Sequence, residues 1–307
     1  MSIDIKFWGV RGSIPSPGER TVKYGGNTAC VELRFRDSQR IIIIDAGSGI
    51  RELGDHLLIH DHRRGPVEAD LFFTHTHIDH IIGFPFFAPL YVQGTKLRIY
   101  GPATYDEDPL EKVIASQMSY HYFPVRLSEV AAEMVYHDLK EGHFDLGDGI
   151  EVTTRYLNHP LLCLGYRFEY RGWIVCTAYD TEPFRNLFAE ASSSSGSDDR
   201  TANEGQIVAD RENSRLEEFF TGADLLIYDA QYLQKEYESC RLGWGHTAVE
   251  YAIAAARRAC VKRLILFHHD PGRTDAEIDA LVSVYCRRDH SRGPEILFAR
   301  EGMQIEI

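Results

Sequence analysis

Between positions 74 and 80 the chain reads Thr-His-Thr-His-Ile-Asp-His, directly after the apolar run Leu71-Phe72-Phe73. Three imidazoles and a carboxylate within six residues supply the nitrogen and oxygen ligands that divalent metals such as zinc take at about 2 Å. His75 and His77 are two apart, so on extended backbone they point to one side. Asp79 and His80 fall where the chain turns into Ile81-Ile82-Gly83-Phe84, and can aim at a second position. One short loop can therefore feed two neighbouring metals. The competing reading is a polar turn with incidental histidines, and a His/Asp cluster of this density speaks against it.

A metal pair needs further ligands. Three candidates each follow a strand-like run: His159 in Leu-Asn-His-Pro, Asp180 in Thr-Ala-Tyr-Asp-Thr and His268 in Leu-Phe-His-His-Asp-Pro. Each alone is weak, because a histidine after a strand is more often a surface or satisfied residue. Strand ends at one edge of a sheet sandwich converge, however, so loops there can build a shared site.

The elements that must position these residues are short. Strands are predicted at Ile3–Trp8, Cys30–Phe35, Arg40–Asp45, Leu71–Phe73 and Leu97–Tyr100. Helices are predicted from about Asp45–Gly49 to Ile59 and over Pro109–Met118. From Val130 the pattern turns to strands, at Glu133–Leu139, Ile150–Leu157, Leu162–Tyr170, Trp173–Thr177 and Asp224–Asp229. A helix Thr247–Cys260, a strand Arg263–Phe267, a helix Asp275–Arg288 and terminal strands follow. Thr247 with Glu250, and Thr274 with Glu277, fit capping boxes at the two helix starts. Two runs of strands, each followed by helices, predict two sheets packed face to face with helices outside. The segment 191–205 is small, polar and charged, and reads as a flexible surface insertion.

His-x-His-x-Asp-His, then a lone His, a lone Asp and a late His, in that order, resembles the metallo-β-lactamase superfamily over essentially the whole chain. Gly245-His246-Thr247-Ala248, followed by a helix and Val261-Lys262-Arg263-Leu264-Ile265-Leu266-Phe267-His268, resembles its phosphodiesterase branch. That branch includes ribonuclease Z and the cyclic phosphodiesterases of phosphonate breakdown. The resemblance implies a single α/β domain over 1–307, a four-layer αββα sandwich, with a binuclear site, zinc first and manganese or iron as alternatives. It implies that His75, His77 and His159 hold one metal, that Asp79, His80 and His268 hold the other, and that Asp180 bridges both. His268 fits the family spacing better than His269, which is left as a neighbour of the site. His246 would be the acid near the scissile phosphate, with Asp229 orienting it; the alternative for His246 is a helix-capping loop residue. Asp45 either braces the metal loop or caps its own turn.

The implied chemistry is in-line attack on a phosphodiester by water activated between the metals, with His246 protonating the leaving alkoxide. Two departures narrow it. Ribonuclease Z enzymes commonly carry a long arm for the tRNA elbow between the lone His and the bridging Asp, whereas here about twenty residues, read as two strands, separate His159 from Asp180. The second ligand is His77, where the di-iron flavoprotein-like branch usually has Glu. Phe7-Trp8-Gly9-Val10-Arg11-Gly12-Ser13 and Tyr24-Gly25-Gly26-Asn27-Thr28 read equally as a phosphate-receiving backbone or as tight turns. Hydrolysis of a carboxylic ester, thioester or lactam, and a metal-bound sensor, remain the alternatives.

Composition bounds these readings. The chain has 307 residues, 44% of them hydrophobic, enough for a sizeable core. A formal charge of −13 with no basic stripe disfavours long nucleic acid as a partner, and leaves room for a small anionic substrate where a metal site supplies local positive charge; the resemblance makes that expected substrate a small phosphodiester. Six scattered cysteines without a C-x-x-C pair read as buried hydrophobes in a reducing compartment. With no signal-like start and no long apolar stretch, the expectation is a cytoplasmic protein without a membrane partner, with a homodimer left open.

Overall fold

Ile41–Ile44 explains the architecture in miniature. All four side chains are buried. Successive strand residues point to opposite faces. Ile42 and Ile44 join one core with Phe7, Phe72, Phe168, Val175 and Phe267, whereas Ile41 and Ile43 join another with Leu53, Leu57 and Ile114. A strand with both faces covered must be apolar throughout, which is why this run does not alternate.

The computed structural model describes residues 2–103, 108–188, 199–286 and 293–307. The first sheet contains β1 (Ile3–Gly9), β2 (Cys30–Phe35), β3 (Arg40–Ile44), β4 (Glu68–Phe72), β5 (Lys96–Pro102), β6 (Glu133–Leu139) and β14 (Gln304–Glu306), in the order β14-β1-β2-β3-β4-β5-β6. The second contains β7 (Gly142–Gly147), β8 (Ile150–Tyr156), β9 (Leu164–Tyr170), β10 (Trp173–Ala178), β11 (Leu225–Asp229), β12 (Arg263–Phe267) and β13 (Glu295–Phe298), in the order β13-β12-β11-β10-β9-β8-β7. Strands β3 to β6 run parallel, as do β10 to β13.

Three apolar layers separate four structural ones. The first lies between the sheets. The second packs the outer face of sheet one under α1 (Ile50–His60), α2 (Ile78–Ile81) and α3 (Leu110–Ser116). The third packs sheet two under α4 (Asp199–Phe220), α6 (Val249–Arg258) and α7 (Asp275–Tyr285), with α5 (Gln234–Cys240) beside them. This is the expected αββα sandwich. Among the described residues no helix is long and apolar enough to cross a membrane.

Two local expectations need correction. Residues 199–205, read as part of a flexible insertion, begin the 22-residue helix α4. Its anchor lies later, where Ala209, Leu216, Phe219 and Phe220 are buried, and once that part is helical each further turn back toward Asp199 needs no new nucleus. Residues 191–198 lie outside the described ones. At α6 the cap residue is Ala248, and Thr247 donates its hydroxyl to Thr181 O instead of closing a capping box. Glu250 meanwhile accepts from Gln234 N and Tyr285 Oη. The box at Thr274 and Glu277 does form.

Candidate active site

The sheets converge at one edge. Asp45 follows β3, the loop Thr74–His80 follows β4, Asp180 follows β10, Asp229 closes β11 and His268 follows β12. These are the carboxyl ends of parallel strands, where open α/β sheets leave a crevice. Strand β8 runs with β10, since both are antiparallel to β9, so His159 beyond its end reaches the same crevice.

Three of these residues turn the chain sharply. Asp45, Asp180 and His268 have φ of 60°, 47° and 60°, in the left-handed region. For residues with a Cβ this costs about 1–3 kcal/mol each, and such conformations gather at functional sites. The turn lets a residue directly after a strand aim its side chain across the sheet edge.

Two donor sets form, sharing Asp180. One ligand atom each from His75, His77, His159 and Asp180 lies within 4.8 Å of the others, and the same holds for Asp79, His80, Asp180 and His268. In the first set His75 Nε2 is 3.4 Å from Asp180 Oδ2, and His159 Nε2 is 3.0 Å from His77 Nδ1. In the second, His80 Nε2 is 3.3 Å from Asp79 Oδ2 and 3.2 Å from Asp180 Oδ2. His268 Nε2 is 3.2 Å from both Asp79 Oδ2 and Asp180 Oδ1.

Outer contacts fix which atom of each ring faces the crevice. His80 Nδ1 donates to Asp45 Oδ2 at 2.7 Å, and Asp45 is itself held by the Thr74 amide and hydroxyl. His159 Nδ1 donates to Gly245 O at 3.0 Å, and His268 Nδ1 to Gln231 Oε1 at 3.0 Å. Each ring thereby turns its Nε2 inward. Asp45 thus braces the loop. His269 does not face the site: its Nε2 donates to Ala299 O at 2.8 Å and its ring stacks on Phe298.

A cation fits what these groups lack. His75 Nε2, His80 Nε2 and Asp180 Oδ1 are buried without a hydrogen-bond partner. Buried polar atoms are rarely left so. Burial pushes the His75, His77 and His159 pKa values down, the last to about 4, so these rings are neutral, the form that binds metal. Burial opposes charge on His80 too, yet Asp180, Asp79 and Asp45 overcome it and raise its pKa far above the usual histidine value. Burial likewise opposes charge on Asp79 and Asp180, and neighbouring imidazoles reverse the effect and hold both carboxyls well below their ordinary range. The crevice therefore demands positive charge, and its donor set suits divalent metal ions.

His246 stands beside these sets. Its Nδ1 donates to Asp229 Oδ2 at 2.9 Å, and Asp229 also accepts from the amides of Thr181 and Gln231. Burial lowers the imidazole's pKa, but Asp229 outweighs it, with Asp180 and Asp79 adding, and pushes it up to about 9. Its ring lies 5.0 Å from His268 and 5.6 Å from His159. His246, Asp229, Asp180 and His268 also have ligand atoms within 4.8 Å of one another. Gly245 is demanded here: its φ is +81°, and a Cβ would lie 2.3 Å from His159 Nδ1.

All nine residues singled out from the sequence thus meet in one crevice. Sequence reasoning missed Gln231 and the Ser13 amide, which donates to Asp79 Oδ2 at 2.7 Å. The N-terminal glycine motif backs the site: a Cβ on Gly12 would strike the His268 ring at 2.4 Å. Arg11, fully buried, ties that motif to the carbonyls of Gly25, Asp270 and Arg273.

A family model described as a β-lactamase superfamily domain matches residues 40–194. Ribonuclease Z of Lactococcus lactis is 26% identical over 295 residues, covering 87% of this chain and 88% of that protein. Ribonuclease Z of Thermococcus kodakarensis is 29% identical, covering 87% and 83%. Among solved structures, the metallo-β-lactamase fold protein YhfI of Bacillus subtilis superposes with a TM-score of 0.65 at 17% identity over all of both chains. Human tRNase Z, short form, superposes with 0.61 at 19% identity over 98% of each. A diphosphatase of the PhnP family superposes with 0.62 at 17% identity over 100% of this chain and 98% of that one. These structural likenesses speak for the fold. The expectation that long nucleic acid is excluded does not stand beside relatives named ribonucleases over most of the chain. Net charge does not decide the matter, because it averages over a surface whereas substrate meets one crevice.

Proposed function

We propose, on the premise that the chain belongs to the β-lactamase superfamily, that it is a metal-dependent hydrolase of phosphodiester bonds, with a nucleic acid as its substrate class. The observation that carries this is the sharing of Asp180 between two donor sets, with the His246–Asp229 pair inside 4.8 Å of that carboxylate. The names of the ribonuclease Z relatives support the substrate class.

His75, His77 and His159 would hold one divalent ion and Asp79, His80 and His268 the other, with Asp180 between them. Bound there, the ions would supply Lewis acidity toward the phosphoryl oxygens and a nucleophile from water at neutral pH. The remaining work belongs to side chains. Asp45, Gly245 O and Gln231 keep three imidazoles in the tautomer whose Nε2 faces inward. The Ser13 amide holds Asp79 Oδ2, which limits its rotation. His246 carries a proton on Nε2 while Asp229 binds its Nδ1–H, so it can deliver that proton to a departing alkoxide and remain oriented afterwards.

The test combines metal analysis with a substrate panel. Purified chain supplied with zinc or manganese should hold two ions and cleave bis-p-nitrophenyl phosphate and an RNA oligonucleotide faster than p-nitrophenyl acetate or a lactam. Preference for acyl substrates, or turnover unchanged after removal of all metal, would refute the proposal.

A further inference from the structure

We infer that the turn Arg241–Gly245 is a nucleobase platform, on which the indole of Trp244, backed by Arg241, receives the base of the nucleotide that departs at His246; this rests on the phosphodiesterase reading.

Trp244 is 55% exposed, and it precedes His246 by two residues. A large aromatic left in solvent beside a proton donor contributes little to the core. The guanidinium carbon of Arg241 lies 4.3 Å from the centre of the Trp244 ring and 5.7 Å from that of Tyr232. Tyr232 in turn meets His246 in a T-shaped contact, with ring centroids 6.0 Å apart. Platform and proton donor thus share one wall. Among the described residues Arg241 makes no ion pair, in a chain where acids outnumber Lys and Arg 46 to 33. A cation kept from carboxylates and laid along an exposed indole suits a ligand that is aromatic and anionic. A nucleotide is both.

The turn is held ready for such a ligand. Buried Glu182 accepts from the Gly243 amide at 3.0 Å and from Tyr237 Oη at 3.1 Å. Gly243 and Gly245 take φ of 80° and 81°, which set the direction of the turn on either side of Trp244. Beyond Arg241 a cavity of about 350 Å³ opens, lined among others by Tyr232, Glu236, Arg241, Asp270, Arg273 and Glu277. Its mixed acidic and basic rim can meet donors and acceptors on a base edge.

The experiment measures binding as well as turnover. Equilibrium dialysis of the full metal-supplied chain compares adenosine 5′-monophosphate with ribose 5-phosphate, which differ by the base alone. The expected result is at least about five-fold tighter binding of the nucleotide. Trp244→Ala should abolish that preference, Trp244→Phe should retain most of it, and Arg241→Gln should reduce it. Equal binding of the two ligands by the unaltered chain would overturn the platform, as would a preference that survives Trp244→Ala. Absence of phosphodiester turnover with the base preference intact would instead strike the phosphodiesterase reading and leave the platform standing.

Discussion

Asp180 sits 3.2–3.4 Å from His75, His80 and His268, three rings drawn from both sheets, so its removal should be felt by both donor sets. Asp180→Ala should lose at least one metal per chain, counted by elemental analysis, with near-complete loss of activity; a variant that keeps two ions and normal turnover contradicts the bridge. His246 should behave differently. His246→Ala is expected to keep both metals and to lower kcat by about 10²–10⁴ on poor alkoxide leaving groups. The loss should shrink on p-nitrophenyl esters, and Asp229→Asn should give a milder form of the same pattern. The proton donor is the charged ring, so rates on poor leaving groups should fall as pH rises through its pKa. That pKa is raised to about 9 against burial by Asp229, and adjacent dications would bring it lower. Equal losses on good and poor leaving groups would rule out the acid. The ligand types and their order were legible because metal chemistry restricts residue type and strand ends restrict position. Gln231 and the Ser13 amide were not legible. A glutamine and a backbone amide carry no compositional mark, and both act through contacts more than 35 residues distant in sequence.

Elements were read best where one periodicity ran unbroken. Cys30–Phe35, Glu133–Leu139 and Arg263–Phe267 were found to the residue. The strand Gly142–Gly147 was missed, being an edge strand with one buried residue and therefore no strong alternation. Helix α4 was not foreseen: its first turns are polar and small and read as part of the insertion, and its buried face begins only at Ala209. That asymmetry predicts an asymmetric response. Phe220→Ala, which empties a buried site against Tyr228, should cost about 3–5 kcal/mol in denaturant unfolding. Ile207→Ser, on the exposed face, should stay within about 0.5 kcal/mol. The turn before α6 allows a sharper test. Gly245→Ala places a methyl group 2.3 Å from His159 Nδ1 at a φ that disfavours any Cβ. It should weaken metal retention through His159 and lower kcat, with the loss larger than that of an exposed substitution such as Leu242→Ala.

Across the whole molecule the long-range pairings were the least legible part. Strand β14 returns some 300 residues later to pair with β1, Asp4 opposite Glu306, and nothing in either short segment specifies the other. What joins the sheets at the site is clearer. Asp79 and His80 come from sheet one and Asp180 and His268 from sheet two, all buried, and no Lys or Arg is paired with these carboxylates among the described residues. Without cations, like-charged carboxylates face one another across the junction at reduced dielectric. Chelation should therefore lower the thermal midpoint of the whole chain, and added zinc or manganese should restore it. At free metal about 100-fold above the dissociation constant each ion contributes about 2.7 kcal/mol. Hydrogen exchange locates the effect. Loss of metal should deprotect Thr74–His80 in sheet one together with the loops around Asp180 and His268 in sheet two. Deprotection confined to one sheet would mean that the metals fasten a loop to its own strands instead of clamping the two halves of the sandwich, and a midpoint unmoved by chelation would mean that the carboxylates are neutralised by imidazolium alone.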